Sequence, residues 1–84
     1  MSIVRTIRHY ILENFLFTDD ESALGDGESF LAAGIVDSTG VLEIISFIEE
    51  TFGIKVDDDE MLPENLDSLN SLAAFVRRKQ AVAA

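Results

Sequence analysis

Apolar residues recur at three- and four-residue spacing in three segments of this chain, and no segment alternates apolar and polar residues as a half-buried strand does. The three segments are residues 2–16, 38–52 and 68–79. Between the second and third, Pro63 permits only a short helical turn. The predicted fold is therefore all-α: a small four-helix bundle of three main helices and one short helix, with a long first loop.

Residues suited to helix starts precede each of the three segments. Ser2 is the predicted N-cap of the first helix, because a serine side chain can accept a hydrogen bond from the backbone N–H three residues later. For the second helix the candidates are Asp37 and Ser38. For the last helix they are Asp67 and Ser68.

The helix ends are predicted from a glycine and from positive charge. Gly53 follows the second segment and suits the left-handed conformation that ends many helices. The basic residues 77–79 suit the negative end of the last helix dipole. We expect residues 1–80 to form a single domain and residues 81–84 to form a frayed tail.

The middle segment has an apolar stripe and an opposite polar face. The stripe predicts which side chains face the core: Leu42, Ile45, Ile48 and Phe52, widened by Val41, Ile44 and Phe47. The polar face holds Thr39, Glu43, Ser46 and Glu50. Residues 17–34, which include three of the five glycines, predict a long ordered loop anchored by Leu24, Phe30 and Leu31.

Charge divides the chain into an acidic middle and two basic ends. The formal net charge is −10, all sixteen carboxylates lie within residues 13–67, and Lys55 is the only base among them. Such a surface repels nucleic acid and anionic lipid and attracts basic partners. We therefore expect protein partners, no nucleic-acid binding and no membrane insertion. A surface that serves only solubility is the alternative interpretation of the same charge.

The N-terminal sequence and the lack of long apolar runs favour a cytoplasmic protein. Residues 1–12 lack the apolar core and cleavage site of a signal peptide. No apolar run approaches the roughly 20 residues that a membrane-spanning helix needs. The chain has no cysteine, so its own residues supply no thiol chemistry.

The residues do not predict an enzyme. The single histidine, His9, lies inside the first helical segment, and the sequence around Ser38 does not follow the G-x-S-x-G pattern of a nucleophilic serine. A calcium loop counted from Asp57 would place Leu62 and Ser68 where glycine and glutamate are needed, so no dedicated calcium site is predicted.

Ser38 itself has two interpretations. It is either a structural residue at a helix start or a serine presented for modification, since free N–H groups and the helix dipole favour a phosphodiester there. The residue pattern alone leaves both open.

The segment around Ser38 resembles the phosphopantetheine-attachment region of acyl carrier proteins and peptidyl carrier domains. The similarity is carried by the Asp37-Ser38 pair, Gly34, Gly40 and the stretch "EETFGIKVDDDE", and it extends over residues 1–80. It implies that a phosphopantetheinyl transferase esterifies Ser38 with 4′-phosphopantetheine from coenzyme A. The terminal thiol of that group would then hold an acyl or aminoacyl thioester.

The resemblance also implies a partner surface. Carried over by position, the residues that would meet partner enzymes are Asp37, Thr39, Glu43, Ser46, Glu49 and Glu50. The expected partners are the phosphopantetheinyl transferase, an acyl- or aminoacyl-loading enzyme, and a downstream transferase or synthase with basic patches. The protein is expected to act as a monomer.

Departures from the fatty-acid carrier pattern indicate a dedicated pathway. Carriers of fatty-acid synthesis often have leucine after the modified serine and an acidic residue next, whereas this chain has Thr39 and Gly40. A specialised acyl-lipid, polyketide or nonribosomal-peptide pathway is therefore expected. Phe47 either narrows an acyl cavity or is an ordinary core aromatic. The alternative function is an unmodified acidic adaptor that binds other proteins.

Overall fold

A computed structural model describes residues 2–83 of the chain and shows an all-helical bundle. Its elements are α1 (Ile3–Ile11), a π-helical turn (Leu12–Leu16), α2 (Ser38–Phe52), α3 (Pro63–Leu66) and α4 (Leu69–Ala83), with 3₁₀ turns at Glu21–Ala23 and Asp58–Glu60. Three longer helices, one short helix and no strand occur in the described part, which confirms the predicted all-α four-helix bundle.

Side-chain caps begin three of the helices. The Ser2 hydroxyl accepts the Arg5 N–H at 3.3 Å, as predicted. At α2 the cap is the Asp37 carboxylate, and at α4 the Ser68 hydroxyl accepts the Ser71 N–H at 3.1 Å. Gly53 ends α2 with φ 67°, which confirms its predicted left-handed conformation.

The first helix changes its winding before the loop. Its α-helical part stops at Ile11, and the π-helical turn continues it to the predicted end at Leu16. The Asn14 side-chain amide donates to the Tyr10 carbonyl at 2.9 Å, the acceptor that the backbone N–H of residue 14 would hold in an α-helix. The wider turn places Leu12 in the core at 1% exposure.

Most of the predicted α2 stripe packs inward, with one correction. Ile44, Ile45 and Ile48 are buried, and the predicted polar face is exposed throughout. Leu42 was predicted on the inner face, but its side chain is 58% exposed. Leu42 lies at the edge of the stripe, where the short α3 and the segment before it cover the helix only in part.

Phe47 packs against α1. Its ring stacks on Tyr10 with a centroid distance of 3.9 Å, and it makes an edge contact with Phe52 at 6.4 Å. The Tyr10 hydroxyl donates to the Glu43 carbonyl at 3.3 Å. Burial, followed by the charge of Glu43, raises the pKa of Tyr10. Phe47 is therefore a partly buried aromatic that packs against the core.

The last helix is longer than predicted, since it continues past Lys79 to Ala83. Residues 77–79 therefore do not occupy its final turn, contrary to the prediction that they complement its C-terminal dipole. Instead, Lys79 Nζ lies 2.8 Å from Glu60 Oε1 and 3.8 Å from Asp57 Oδ2, and Arg78 donates to the Asn65 side chain at 3.0 Å. Of the expected frayed tail, 81–83 are helical here, and Ala84 lies outside the described residues.

The long first loop is ordered by hydrogen bonds to α1. Arg8 forms an ion pair with Asp26 and donates to the Leu24 carbonyl at 2.6 Å. Two of the predicted anchors, Leu24 and Phe30, are buried at 1% exposure each. The third, Leu31, is 45% exposed, so its assignment as an anchor was wrong. Its side chain contributes to the surface beside Ser38 described below.

Candidate functional site

Ser38 is the first residue of α2, and its side chain is exposed. The backbone N–H of Gly40 donates to Asp37 Oδ1 at 2.8 Å, so Asp37 caps the helix and the Ser38 hydroxyl is not needed for that role. Within residues 2–83 the Ser38 side chain makes no hydrogen bond. The remaining N–H groups of the first turn and the helix dipole favour negative charge at this position.

Gly40 allows the start of α2 to lie close to two neighbouring apolar side chains. A Cβ atom at this position would lie 2.8 Å from Val36 Cγ1 and 2.9 Å from Phe15 Cε1. Real Cβ atoms do not approach other atoms so closely, so a larger residue would push the first turn of α2 away from Phe15 and Val36. Glycine two residues after Ser38 therefore determines where the serine lies.

Asp67 holds the loop that leads toward Ser38. Its carboxylate accepts the Ser29 hydroxyl through Oδ2 and the Leu31 N–H through Oδ1 at 2.9 Å, and its backbone carbonyl accepts the Phe30 N–H at 2.9 Å. The Phe30 carbonyl in turn accepts the N–H of Ile35 at 2.9 Å. Asp67 thus joins the short segment between α3 and α4 to the loop before α2.

An apolar groove of about 280 Å³ opens beside Ser38 between α2 and the α3 region. Its apolar lining consists of Leu31, Val41, Leu42, Ile45, Met61, Leu62, Pro63 and Leu66, with Ser38 and Asp67 also contributing. Leu31, Leu42, Met61 and Leu62 are between 37% and 58% exposed. The groove is therefore part of the surface around the serine.

The sequence did not predict the apolar groove beside Ser38. Its most accessible signal was the apolar pair Met61-Leu62, which stands between the acidic run at residues 57–60 and Pro63, in a segment for which only a short helical turn was predicted. Leu42 gave no separate signal, because its spacing fits the buried stripe.

The structure places the predicted partner residues unevenly. Asp37, Thr39, Glu43, Ser46 and Glu50 are exposed. Glu49 is only half-exposed, and its carboxylate accepts the Val56 N–H at 2.9 Å, which ties the end of α2 to the following segment. His9 is exposed on α1 and does not line the Ser38 groove.

The surroundings of Ser38 fit a covalently attached phosphodiester. The hydroxyl is accessible and engaged by no described residue, and the helix start offers N–H groups to an anion. The adjacent Asp37 carboxylate accepts the Gly40 N–H and so faces the helix that it caps. Within residues 2–83, no helix is long and apolar enough to cross a membrane.

Sequence comparison identifies the class of protein that this fold and site define. The sequence profile of the phosphopantetheine attachment site family matches residues 5–76. The chain therefore belongs to this family of carrier proteins, and the cofactor of the family is a covalently attached 4′-phosphopantetheine. The predicted resemblance is confirmed.

Particular relatives narrow the comparison to stand-alone carriers. The chain is 34% identical over 77 residues to the D-alanyl carrier protein of Streptococcus uberis, covering 89% of this chain and 96% of the relative. It is 36% identical over 76 residues to the D-alanyl carrier protein of Streptococcus suis, covering 90% and 92%. A solved holo acyl carrier protein from Nitrosomonas europaea superposes with a TM-score of 0.78 at 28% identity, covering 96% of this chain and 99% of that one.

Proposed function

We propose that this protein carries a small aminoacyl group of the D-alanyl type as a thioester, on a 4′-phosphopantetheine arm attached to Ser38. The observation that carries the proposal is the similarity to D-alanyl carrier proteins along nearly their whole length, combined with an exposed, unengaged serine at a capped helix start. When bound, the arm supplies the thiol that the chain lacks.

The residues of the chain present and orient the attachment point. Asp37 caps α2, Gly40 sets the approach of its first turn to Phe15, and the free N–H groups of that turn stabilise a phosphodiester on Ser38. The chain is then the substrate of the enzymes that modify and load it. In this role it needs no catalytic base, and His9 lies elsewhere on α1.

The packing of the bundle supports a small cargo. Phe30 and Phe75, each 1% exposed, lie in the interior, and the apolar groove beside Ser38 is partly open to solvent. A long acyl chain would remain partly in water, at a cost of about 0.8 kcal/mol for each CH₂ left exposed. Together with Thr39 and Gly40, this favours a dedicated pathway over bulk fatty-acid synthesis.

The acidic surface suits brief contacts with basic partners. The proposed partners are the phosphopantetheinyl transferase, an adenylating enzyme that loads the amino acid, and a downstream transferase. Exposed charge pairs contribute only about 0–1 kcal/mol each, while the net charge of −10 steers association over longer distances. A shuttle that must leave each enzyme quickly benefits from both properties. Action as a monomer in the cytoplasm stays a prediction.

The first test is modification followed by mass spectrometry. The purified chain is incubated with coenzyme A and a phosphopantetheinyl transferase, and we expect a gain of one phosphopantetheine group. Ser38→Ala should abolish the gain, whereas Thr51→Ala, which alters an exposed hydroxyl residue on the same helix but outside the predicted partner surface, should not. A parent chain that gains no mass would instead support the unmodified acidic adaptor.

The second test identifies the cargo. The holo-protein is incubated with ATP, D-alanine and a D-alanine-activating enzyme, and in parallel with malonyl-coenzyme A and a malonyl transferase. We expect D-alanyl thioester to form much faster than malonyl thioester. The reverse preference would leave the carrier function intact and overturn the aminoacyl assignment.

A further inference from the structure

Asp67 is the one ionisable residue among the described residues that line the apolar groove beside Ser38. It is half-buried, and the other lining residues are apolar apart from Ser38 itself. A charge in such surroundings attracts an opposite charge more strongly than it would in bulk water. The groove thus combines an apolar wall with a single negative charge.

The carboxylate of Asp67 forms no ion pair within residues 2–83, where the ion pairs involve Arg8 and Lys79. It accepts the Ser29 hydroxyl and the Leu31 N–H, which are both neutral donors. An ionised carboxylate offers about four lone-pair sites, so about two stay available after these bonds. The two hydrogen bonds therefore fix the position of the carboxylate and leave its charge without a cation.

A short hydrogen-bonded path connects Asp67 to the attachment point. The Asp67 carbonyl accepts the Phe30 N–H at 2.9 Å, and the Phe30 carbonyl accepts the Val36 N–H at 3.3 Å. Ser38 follows Val36 by two residues, which span at most about 7 Å of chain. Both Ser38 and Asp67 line the groove. An arm attached to Ser38 therefore starts in the same groove that the carboxylate lines.

The chemistry of this groove matches an aminoacyl group better than a plain acyl group. An alanyl thioester has a small methyl group and an α-ammonium on the same carbon. The methyl group suits the apolar wall, and the ammonium suits the carboxylate as a charge-assisted hydrogen-bond donor. The arm also tethers the ammonium close to its acceptor, which gives it a far higher effective concentration than a cation that diffuses in from solution.

We propose that Asp67 binds the α-ammonium of the aminoacyl group when the loaded arm folds back into the groove beside Ser38. The methyl group then lies against the apolar wall, and the thioester is shielded in part from water. The proposal rests on the proposed function and deepens it, because the chain itself then has a residue that favours aminoacyl over acyl cargo. Ser29 and Leu31 hold that residue in place.

The test measures hydrolysis of the loaded thioester by mass spectrometry at about pH 6, where an α-amino group is protonated. A phosphopantetheinyl transferase installs the loaded arm directly from D-alanyl- or D-lactyl-coenzyme A, and the D-lactyl group has a neutral hydroxyl in place of the ammonium. Asp67→Asn removes the charge and keeps an oxygen acceptor for the Leu31 N–H. We expect this variant to shorten the D-alanyl half-life about fivefold. The D-lactyl half-life should change by less than about twofold.

Ser29→Ala is the matched control, because it removes one hydrogen bond from the same carboxylate and leaves the charge in place. Its D-alanyl half-life should stay within about twofold of the parent. A second measurement follows the backbone amide of Leu31, which donates to Asp67 Oδ1. In the parent, the NMR resonance of this amide should move when the arm carries D-alanyl and stay at its holo-protein position when the arm carries D-lactyl.

The opposite results overturn the proposal. Equal D-alanyl half-lives in the parent and Asp67→Asn would show that the carboxylate does not bind the ammonium. An equal shortening with D-lactyl, or in Ser29→Ala, would show an effect of the arm or the loop instead. If Asp67→Asn does not fold, a Leu31 resonance that responds alike to both cargoes decides against the proposal.

Failure of the proposed function is distinguishable from failure of this inference. The loaded arm comes from coenzyme A, so the half-lives are measured whichever enzyme normally loads the chain. A parent chain that takes up no arm removes the proposed function and this inference together. A parent chain that is loaded, but whose D-alanyl thioester does not respond to Asp67→Asn, keeps the carrier function and loses only the role of Asp67.

Discussion

At the scale of single residues, Asp67 has the largest number of connections near the candidate site. Both carboxylate oxygens and the backbone carbonyl are used, and the three donors come from consecutive residues of the first loop, 29–31. Ser68, next to it, serves a different element by capping α4. Substitutions at Asp67 and Ser68 should therefore affect different elements, the first loop and α4 respectively.

Asp67→Ala is expected to lower the free energy of unfolding by about 1–3 kcal/mol, because the Ser29 hydroxyl and the Leu31 N–H lose their acceptor. Urea denaturation measures this loss. Hydrogen exchange should also show a faster-exchanging Leu31 amide under native conditions.

The control for that experiment is Ser68→Ala, which removes a helix cap at a cost of about 1 kcal/mol. It should leave the exchange of the Leu31 amide relative to global unfolding unchanged. If both substitutions accelerate that amide equally, the loop is not held by Asp67 in particular.

At the scale of elements, the helix starts were predictable and the helix ends were less so. Ser2 and the Asp37-Ser38 pair are local signals, since a cap requires only the residues that follow it. The change to π-helical winding depends on the Asn14 side chain binding the Tyr10 carbonyl, which spacing does not reveal. The extension of α4 past Lys79 accompanies ion pairs to a segment about 20 residues earlier in the chain.

The ion pair between α4 and the 3₁₀ turn makes stability depend on pH. The hydrogen bond from Lys79 lowers the pKa of Glu60 below its ordinary value of 4.5. A lowered folded-state pKa contributes stability above the unfolded pKa, and this contribution is lost as pH falls through the folded value. The hydrogen bond from Glu60 raises the pKa of Lys79 above 10.5, so the contribution of Lys79 is lost at strongly alkaline pH.

We therefore expect Lys79→Gln to melt at a lower temperature than the parent at pH 7, by a small amount because the pair lies at the surface and is only partly buried. The difference between the two proteins should shrink as the pH falls below about 4.5. Thermal melts followed by circular dichroism across pH 3–8 measure it. A difference that is constant over this range would show that Lys79 acts through packing of its side chain rather than through charge.

At the scale of the whole molecule, excess negative charge opposes compactness. Sixteen carboxylates share the chain with six basic residues, and the ion pairs of residues 2–83 involve Arg8 and Lys79 only. Salt screens this self-repulsion, since the Debye length falls from about 30 Å at 0.01 M to about 8 Å at 0.15 M ionic strength.

Raising the ionic strength over this range should increase the melting temperature, and millimolar magnesium should do the same. The control is Glu64→Lys, at an exposed site, which lowers the net negative charge and should lessen the response to salt. A parent protein that melts at the same or a lower temperature in salt would show that the few ion pairs outweigh the repulsion.

The sequence predicted only part of the candidate site, because the rest depends on tertiary packing. Ser38 was singled out by the family resemblance of the residues around it, and its place at a helix start follows from a local cap. The groove beside it depends on how far Met61 and Leu62 extend over α2, which is a tertiary property. The same holds for Leu42, whose spacing marks a core residue although neighbouring elements cover it only in part.

The stacked pair of Tyr10 and Phe47 has a consequence for how this carrier can be studied. The chain has one tyrosine and no tryptophan, so its near-ultraviolet emission arises almost wholly from a ring held between α1 and α2. The tyrosine hydroxyl also binds the backbone of Glu43, on the face predicted to meet partners. The protein thus contains a natural optical probe. An enzyme that shifts α2 against α1 on binding would change the tyrosine emission, so its binding could be followed without any attached dye.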